Sequence, residues 1–129
     1  MATRLSTPAP VPSPGRVADV VDLHALLAGL SREGHDFAEV FRAPEGTLSL
    51  TVARWPAGSI DDQQPHAEDE VYYVARGRAA LTIGEESVSV GPGSIALVAA
   101  GAEHRFTGIE EDLEVLVFWA PARNSNEPR

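Results

Sequence analysis

The stretch QQPHAEDEVYYVARG, residues 63–77, crowds polar and acidic side chains directly before an apolar run with the character of a β-strand. Gln64, His66 and Glu70 lie at even spacing within it. Between residues 61 and 70 the chain carries five carboxylates and no arginine. Like charges this close together repel and raise one another's pKa. Two explanations are open: the acids fan out into water from a turn, or they surround a bound cation.

The composition limits the class of protein. A chain of 129 residues favours a single domain, and we expect a flexible arm over residues 1–16, one domain over 17–121 and a flexible tail over 122–129. The net charge of −9 and the absence of lysine argue against nucleic acid or a membrane surface as a partner. Without cysteine, thiolate catalysis and cysteine-bound metal sites are excluded. The polar, proline-rich start and the lack of a long apolar run predict a cytoplasmic protein.

One helix is predicted near the start of the domain. In ADVVDLHALLAGLSREG, residues 18–34, apolar residues recur at helical spacing over about three turns. Asp19 is a candidate N-cap, and Gly34 is a candidate stop. His24 on this helix and His35 after it are expected to be ordinary surface or half-buried residues.

From Phe37 onward the pattern changes to strands. TLSLTVARW, residues 47–55, alternates apolar and polar side chains at period two. Further short runs follow, each bounded by glycine, proline or acidic residues, which predicts an antiparallel all-β sandwich or barrel. LEVLVFWA, residues 113–120, is apolar on both faces of a strand. Such a strand is expected to be covered on both sides, by the helix or by a second subunit.

Strand geometry suggests which polar side chains share a face. Side chains two residues apart point the same way, so Gln64 and His66 are expected to share a face, with Glu70 joining them if the strand stays regular. Glu68 has the same parity and stays a rival to Glu70. Farther along, His104 opens a strand after the tight turn AAGAE, residues 99–103, where it is well placed to face a barrel mouth.

Two stretches resemble the conserved motifs of the cupin family. The first motif, G(X)5HXH(X)3-4E(X)6G, is matched by Gly58, His66, Glu70 and Gly77, with Gln64 in place of the first histidine. The second motif, G(X)5PXG(X)2H(X)3N, is matched over residues 93–108. Gly93, Gly101 and His104 fit it, while Ala99 and Gly108 replace its proline and asparagine. Both motifs occur in order at the expected separation, which makes the resemblance fairly specific.

The resemblance implies an all-β fold, the cupin double-stranded β-helix or jelly-roll barrel, with one N-terminal helix. It also implies one divalent metal ion per chain, held by His66, Glu70 and His104, with Gln64 as a possible fourth ligand. Two histidines and one carboxylate suit Fe(II) and also accept Mn, Ni or Zn. Under this hypothesis Glu68 and Asp69 would be turn residues that face water.

The function implied is an enzyme acting on a small organic substrate, and the leading candidate is a metal-dependent dioxygenase. A redox-neutral isomerase, cyclase or lyase is the alternative, and a non-catalytic small-molecule-binding module is another. Tyr72 is the candidate catalytic residue beyond the metal ligands, because strand parity with Glu70 turns it inward. Phe106, which shares parity with His104, is predicted to line the substrate pocket with Tyr72. We also expect a homodimer.

Three arginines are candidate partners for a substrate carboxylate. Arg54, Arg76 and Arg105 all lie on predicted strands. Arginine binds carboxylates well, but surface ion pairing is the expected role in a chain this acidic.

Overall fold

The computed structural model describes residues 8–9, 20–34 and 36–125. Most of the predicted N-terminal arm, together with Asp19, His35 and residues 126–129, lies outside the described residues. The one helix in the described part, α1, spans Leu23–Glu33. The strands are β1 (Pro8–Ala9), β2 (Phe37–Arg42), β3 (Ser49–Trp55), β4 (Asp69–Arg76), β5 (Ala79–Ile83), β6 (Glu86–Val90), β7 (Ile95–Val98), β8 (His104–Thr107) and β9 (Leu113–Ala120).

The strands form two sheets. The larger sheet has the order β1-β2-β3-β9-β4-β7, and the smaller one has the order β6-β5-β8. All pairs are antiparallel except β1 with β2, where Pro8 and Ala9 pair in parallel with Phe37 and Ala38. The predicted all-β class with one N-terminal helix is confirmed. The arrangement is consistent with a jelly roll, although backbone pairing within the described residues does not close the two sheets into one barrel.

The main core lies between the two sheets. Along β4 the burial alternates, so that Glu70, Tyr72 and Val74 point inward while Tyr73 is only partly buried. Phe106 on β8 and Leu81 on β5 meet them from the smaller sheet, and both are buried. The inward direction that parity predicts for Tyr72 is therefore confirmed, and it places the side chains of β4 against the interior where the site lies.

Helix α1 covers the outer face of the larger sheet. Its N-cap is Asp22, whose carboxylate accepts a hydrogen bond from the Ala25 backbone N–H at 3.0 Å, and Gly34 ends it in the left-handed conformation with φ 75°. The candidate cap Asp19 lies three residues before Asp22. The buried leucines Leu27 and Leu30 pack on β2 and β3. The sequence analysis left two candidates for the cover of the apolar strand β9, this helix and a second subunit. The helix provides part of that cover.

Part of this outer face has no cover among the described residues. Ile95 and Leu97 on β7 are 71% and 66% exposed, and Phe118 on β9 is 36% exposed. Phe118 pairs with Val71, which pairs in turn with Leu97, so these side chains form one row across the sheet. The homodimer stays a prediction, and this row is where a second subunit would be expected to pack.

The segment after β9 is packed against the domain. Ala122 is fully buried, and its backbone N–H donates to the Gly46 carbonyl oxygen at 3.0 Å. The next residue, Arg123, donates its backbone N–H to Ser49 Oγ at 2.9 Å. Residues 122–125, which were predicted to belong to the tail, therefore lie on the fold. No helix among the described residues has both the length and the apolar character needed to cross a membrane.

Gly77, the closing glycine of the first motif, allows a close approach between β4 and β9. Its φ is 90°, and a Cβ at this position would collide with the Asp112 carbonyl oxygen and with Leu113 Cα. Gly84 also has a positive φ, of 60°, but a Cβ there would meet nothing within 4 Å.

The two glycines give a matched test of this packing. We expect Gly84→Ala to cost about 1 kcal/mol, because only backbone strain is added. Gly77→Ala should cost at least about 2 kcal/mol more, because it adds a clash with backbone atoms. Urea unfolding of both variants measures the difference, and equal losses would show that the close approach at Gly77 is not a constraint.

Candidate metal centre

Three of the predicted ligands come together inside the fold. His66, Glu70 and His104 each offer a ligand atom, and these atoms lie within 4.8 Å of one another. Glu70 Oε1 is 3.3 Å from His104 Nε2, and the two imidazole rings have centroids 5.7 Å apart. Glu70 and His104 are buried, while His66 is partly buried. This group of three side chains could hold a metal ion.

Two backbone contacts explain how residues distant in the chain meet. The Gly101 N–H donates to the His66 carbonyl oxygen at 2.7 Å, and the Ala100 N–H donates to Asp69 Oδ1 at 2.8 Å. Both bonds tie the turn before His104 to the segment that carries His66. The pairing of Glu70 with Val98 on β7 then fixes Glu70 beside the same turn.

The donor atoms of Glu70 and His104 fit a cation because they are buried and lack hydrogen-bond partners within the described residues. Both carboxylate oxygens of Glu70 and Nε2 of His104 have no hydrogen-bond partner within the described residues. Buried polar atoms are nearly always bonded, so each of these atoms calls for an explanation. His104 Nδ1 lies 2.9 Å from the Ala102 carbonyl oxygen. Because a carbonyl oxygen only accepts, the hydrogen is assigned to Nδ1, and Nε2 of the neutral ring keeps its lone pair for a metal.

The electrostatic surroundings of Glu70 also favour a bound cation. Burial raises the pKa of Glu70 to about 7, and the Glu68 and Asp61 carboxylates contribute to the rise. The nearby Tyr72 hydroxyl and the positive charge of Arg123 act in the opposite direction. Glu70 and the Tyr72 hydroxyl do not reach hydrogen-bond geometry, so the carboxylate has no strong donor among the described groups. Its ionised form is therefore costly unless a positive ion is present.

Gln64 does not join the group. Gln64 is exposed, and its Nε2 donates to the Asp62 carbonyl oxygen at 3.3 Å. Side chains do not alternate regularly here, because residues 60–66 form no strand and β4 begins only at Asp69. Alternation of side chains is a property of extended paired strands. The structure therefore places the predicted fourth ligand outside the centre.

Glu68 is buried, so the expectation that it faces water was wrong. Its side chain is 1% exposed, and neither carboxylate oxygen has a hydrogen-bond partner in the described part of the chain. Glu68 continues the inward parity of Glu70 by one step beyond the start of β4, which explains its burial. Asp69 is exposed as expected. Glu68 lies outside the three-residue group and adds negative charge near it.

A pocket of about 200 Å³ opens onto the centre. His66 and Glu70 line it, and His104 is buried beside Glu70. The other apolar lining residues are Phe37, Ala53, Trp55, Val117 and Trp119, and the other polar or charged ones are Thr51, Asp61, Asp62, Gln63 and Arg123. Trp119 is fixed by a hydrogen bond from its Nε1 to Thr51 Oγ1 at 3.1 Å, and its ring contacts His66 edge-on with centroids 5.0 Å apart. The pocket has room for a small organic molecule.

Tyr72 and Phe106, which were predicted to line the pocket, lie behind the residues that line it. Both are buried, and their rings stack with centroids 5.3 Å apart. The Tyr72 hydroxyl is 3.4 Å from Gln63 Oε1, and its pKa is raised well above its usual value, mainly by burial. Neither side chain is among the residues that line the pocket.

Most of the lining residues were not predicted from the sequence, and Asp61, Gln63 and Arg123 are among them. Asp61 is buried, and its Oδ2 accepts from the Phe106 backbone N–H at 2.8 Å and from Gln63 Nε2 at 2.7 Å. Burial raises the pKa of Asp61 despite these bonds. Arg123 follows the last strand. No local pattern marks these residues, because their roles depend on contacts across the fold.

Two of the three strand arginines form the surface ion pairs that were expected of them. Arg54 pairs with Asp112 at 2.8 Å, and Arg76 pairs with Glu114 at 3.6 Å. Arg105 is exposed on β8. None of the three lines the pocket beside the metal ligands.

The cost of the Glu70 charge can be measured in metal-free protein. Because the folded pKa of about 7 lies above the ordinary value of 4.5, stability should fall as the pH rises from 4.5 to 7. Glu70→Gln should therefore stabilise the chelator-treated protein at pH 8 by about 1–2 kcal/mol, and the gain should shrink at pH 5. Denaturant unfolding measures both values. Glu86→Gln, on the exposed strand β6, is the control; a Glu70→Gln protein no more stable than this control at pH 8 would contradict the account.

The chain has recognisable relatives among known proteins. Residues 51–120 match the family described as Cupin domain. An uncharacterized protein from Streptomyces coelicolor is 44% identical over 90 residues, which cover 70% of this chain and 86% of that protein.

Solved structures share the fold. The TT1209 protein from Thermus thermophilus has a TM-score of 0.64 and 27% identity, over 81% of this chain and 99% of that one. The DMSP lyase DddQ from Ruegeria pomeroyi has a TM-score of 0.56 and 24% identity. That match covers 65% of this chain, which spans only 42% of the lyase. The family match extends over more than half of the sequence and includes His66, Glu70 and His104, so the chain belongs to the cupin family.

Proposed function

We propose that this protein binds one divalent metal ion through His66, Glu70 and His104 and acts on a small organic molecule in the adjoining pocket. The observation that carries the proposal is the set of buried donor atoms without partners in the described residues, both oxygens of Glu70 and Nε2 of His104. A divalent cation would satisfy all three at once and would offset the neighbouring negative charges of Glu68 and Asp61.

Two histidines and one carboxylate are ligands that Fe(II), Mn, Ni and Zn accept. Gln64 bonds away from the group, so the proposal uses three protein ligands and leaves positions open for a substrate. When bound, the ion would supply Lewis-acid or redox chemistry at those positions.

The chain's own groups orient the ligands and limit the pocket. The Ala102 carbonyl oxygen holds the hydrogen of His104 on Nδ1. The ring of Trp119 packs against His66 and helps to exclude water from that side of the centre. Tyr72, predicted as catalytic, is proposed to support the pocket from behind its lining, because its hydroxyl lies 3.4 Å from Oε1 of the lining residue Gln63.

Metal content tests this proposal. Purified untagged protein, incubated with Fe, Mn, Ni or Zn and desalted, should retain about one ion per chain. His66→Ala and His104→Ala should each lower the retained metal at least about tenfold. His24→Ala is the matched control, because His24 is exposed on α1, and it should bind like the wild type. If the wild type retains no more metal than His66→Ala with any of the four ions, the proposal fails.

The reaction class proposed first is that of a dioxygenase. Its support is the donor set, since two histidines and one carboxylate with open positions are typical of non-haem Fe(II) oxygenases. A redox-neutral lyase is the second candidate. It is favoured by the structural similarity to a DMSP lyase, although this chain spans less than half of that protein. Cytoplasmic location stays a prediction from the sequence.

Oxygen and metal requirements separate the two classes. Zinc-loaded protein incubated with DMSP under nitrogen should leave DMSP unchanged if the chain is a dioxygenase, because zinc cannot exchange electrons with a substrate. NMR of the incubated mixture measures the remaining DMSP. Loss of DMSP that the His104→Ala variant abolishes would contradict the dioxygenase and support the lyase.

A further inference from the structure

Arg123 brings a positive charge to a pocket whose carboxylates are its other charged groups. The lining of the pocket includes the carboxylates Asp61, Asp62 and Glu70, and Arg123 is its arginine. The chain as a whole carries a net charge of −9. A small anion would be repelled by most of this protein, so a pocket that accepts an anion needs a fixed cation at the place where it binds.

The backbone of Arg123 is held on both sides. Its N–H donates to Ser49 Oγ at 2.9 Å, and its carbonyl oxygen accepts from Arg42 Nη2 at 2.8 Å. Arg42 is itself paired with Glu39. These contacts fix the segment after β9 and direct the Arg123 side chain toward the pocket.

Two aromatic rings then orient the guanidinium group. Its central carbon is 5.2 Å from the ring centroid of Phe37 and 5.6 Å from that of Trp119. Arginine packs well on aromatic faces, and such contacts reduce the freedom that the side chain would lose on binding a ligand. A guanidinium placed in this way keeps its planar array of N–H donors in a defined orientation.

Arg123 faces the same cavity as the proposed metal ligands. The ring of Trp119 contacts both the Arg123 guanidinium and the His66 imidazole. A ligand between Arg123 and the His66, Glu70 and His104 group would therefore touch both, with the apolar side chains of Trp55 and Val117 beside it.

We infer that Arg123 binds the anionic end of the substrate, and that the substrate is a small carboxylate with a short apolar body. The guanidinium fork matches the two oxygens of a carboxylate. The pocket of about 200 Å³ and its apolar side chains suit a small molecule with a short apolar body. This inference deepens the proposed function, on which it rests, by naming the substrate class for the same pocket.

Butyrate and its neutral counterpart butyramide test the inference as probes of similar shape. Binding is followed by the fluorescence of Trp55 and Trp119, both of which line the pocket. We expect butyrate to bind the wild type more tightly than butyramide, in zinc-loaded and in metal-free protein. Arg123→Gln should weaken butyrate binding at least about tenfold, because a charge-assisted hydrogen bond is lost, and should leave butyramide unaffected. Arg123→Lys should recover part of the loss.

Arg76→Gln is the matched control, since it removes the same charge from a side chain 75% exposed outside the pocket, and it should bind butyrate like the wild type. Equal butyrate affinity in wild type and Arg123→Gln would overturn the inference, as would equal affinity of the wild type for butyrate and butyramide. Measurements on metal-free protein test the role of Arg123 independently of the proposed metal centre. Arg123-dependent binding without metal supports the inference even if metal content proves negligible, whereas metal retention without an Arg123 effect refutes the inference alone.

Discussion

The buried carboxylate of Glu70, 3.3 Å from His104 Nε2 and without a hydrogen-bond partner in the described residues, is the constraint on which the rest of this site depends. Removing an ionised carboxylate from water is expensive, and natural folds rarely leave one uncompensated. Here the surroundings add to the cost, because Glu68 and Asp61 are also buried acids. Glu70 is therefore either protonated near neutral pH or neutralised by a cation.

The fold brings this carboxylate and the two histidines together through several elements. The six-stranded sheet presents Glu70 from β4, and the three-stranded sheet presents His104 from β8. Hydrogen bonds from Gly101 and Ala100 join the turn before β8 to the segment that leads into β4. A site built on two sheets in this way is held more rigidly than one built on a single loop, which suits a set of donors that must converge on one ion.

The parts of the site that follow from motif spacing and strand parity could be predicted from the sequence. His66, Glu70 and His104 occupy the motif positions and lie together, and Tyr72 turns inward as the alternation along β4 requires. Alternation has no physical basis in residues 60–66, which form no strand, so Gln64 points away from the centre. Glu68, expected in water, is buried because it continues the inward alternation of β4.

Residues whose role depends on long-range contacts could not be predicted. Asp61 bonds the backbone of Phe106, which lies 45 residues later. Arg123 reaches the pocket only because Ser49 and Arg42 hold the segment after β9 in place. From the sequence alone, Arg123 belonged to a polar tail, and nothing near it indicates the aromatic rings on which it lies. Closure of the barrel likewise depends on how the two sheets meet, which periodicity within single strands does not determine.

An anomalous difference map at the zinc absorption edge, from crystals grown with zinc, tests the central claim most directly. The proposed centre predicts one strong peak about 2.0–2.2 Å from a nitrogen of His66, a carboxylate oxygen of Glu70 and Nε2 of His104, with the Gln64 amide remote from it. A map with no peak among these three side chains, while zinc is bound elsewhere on the molecule, would contradict it.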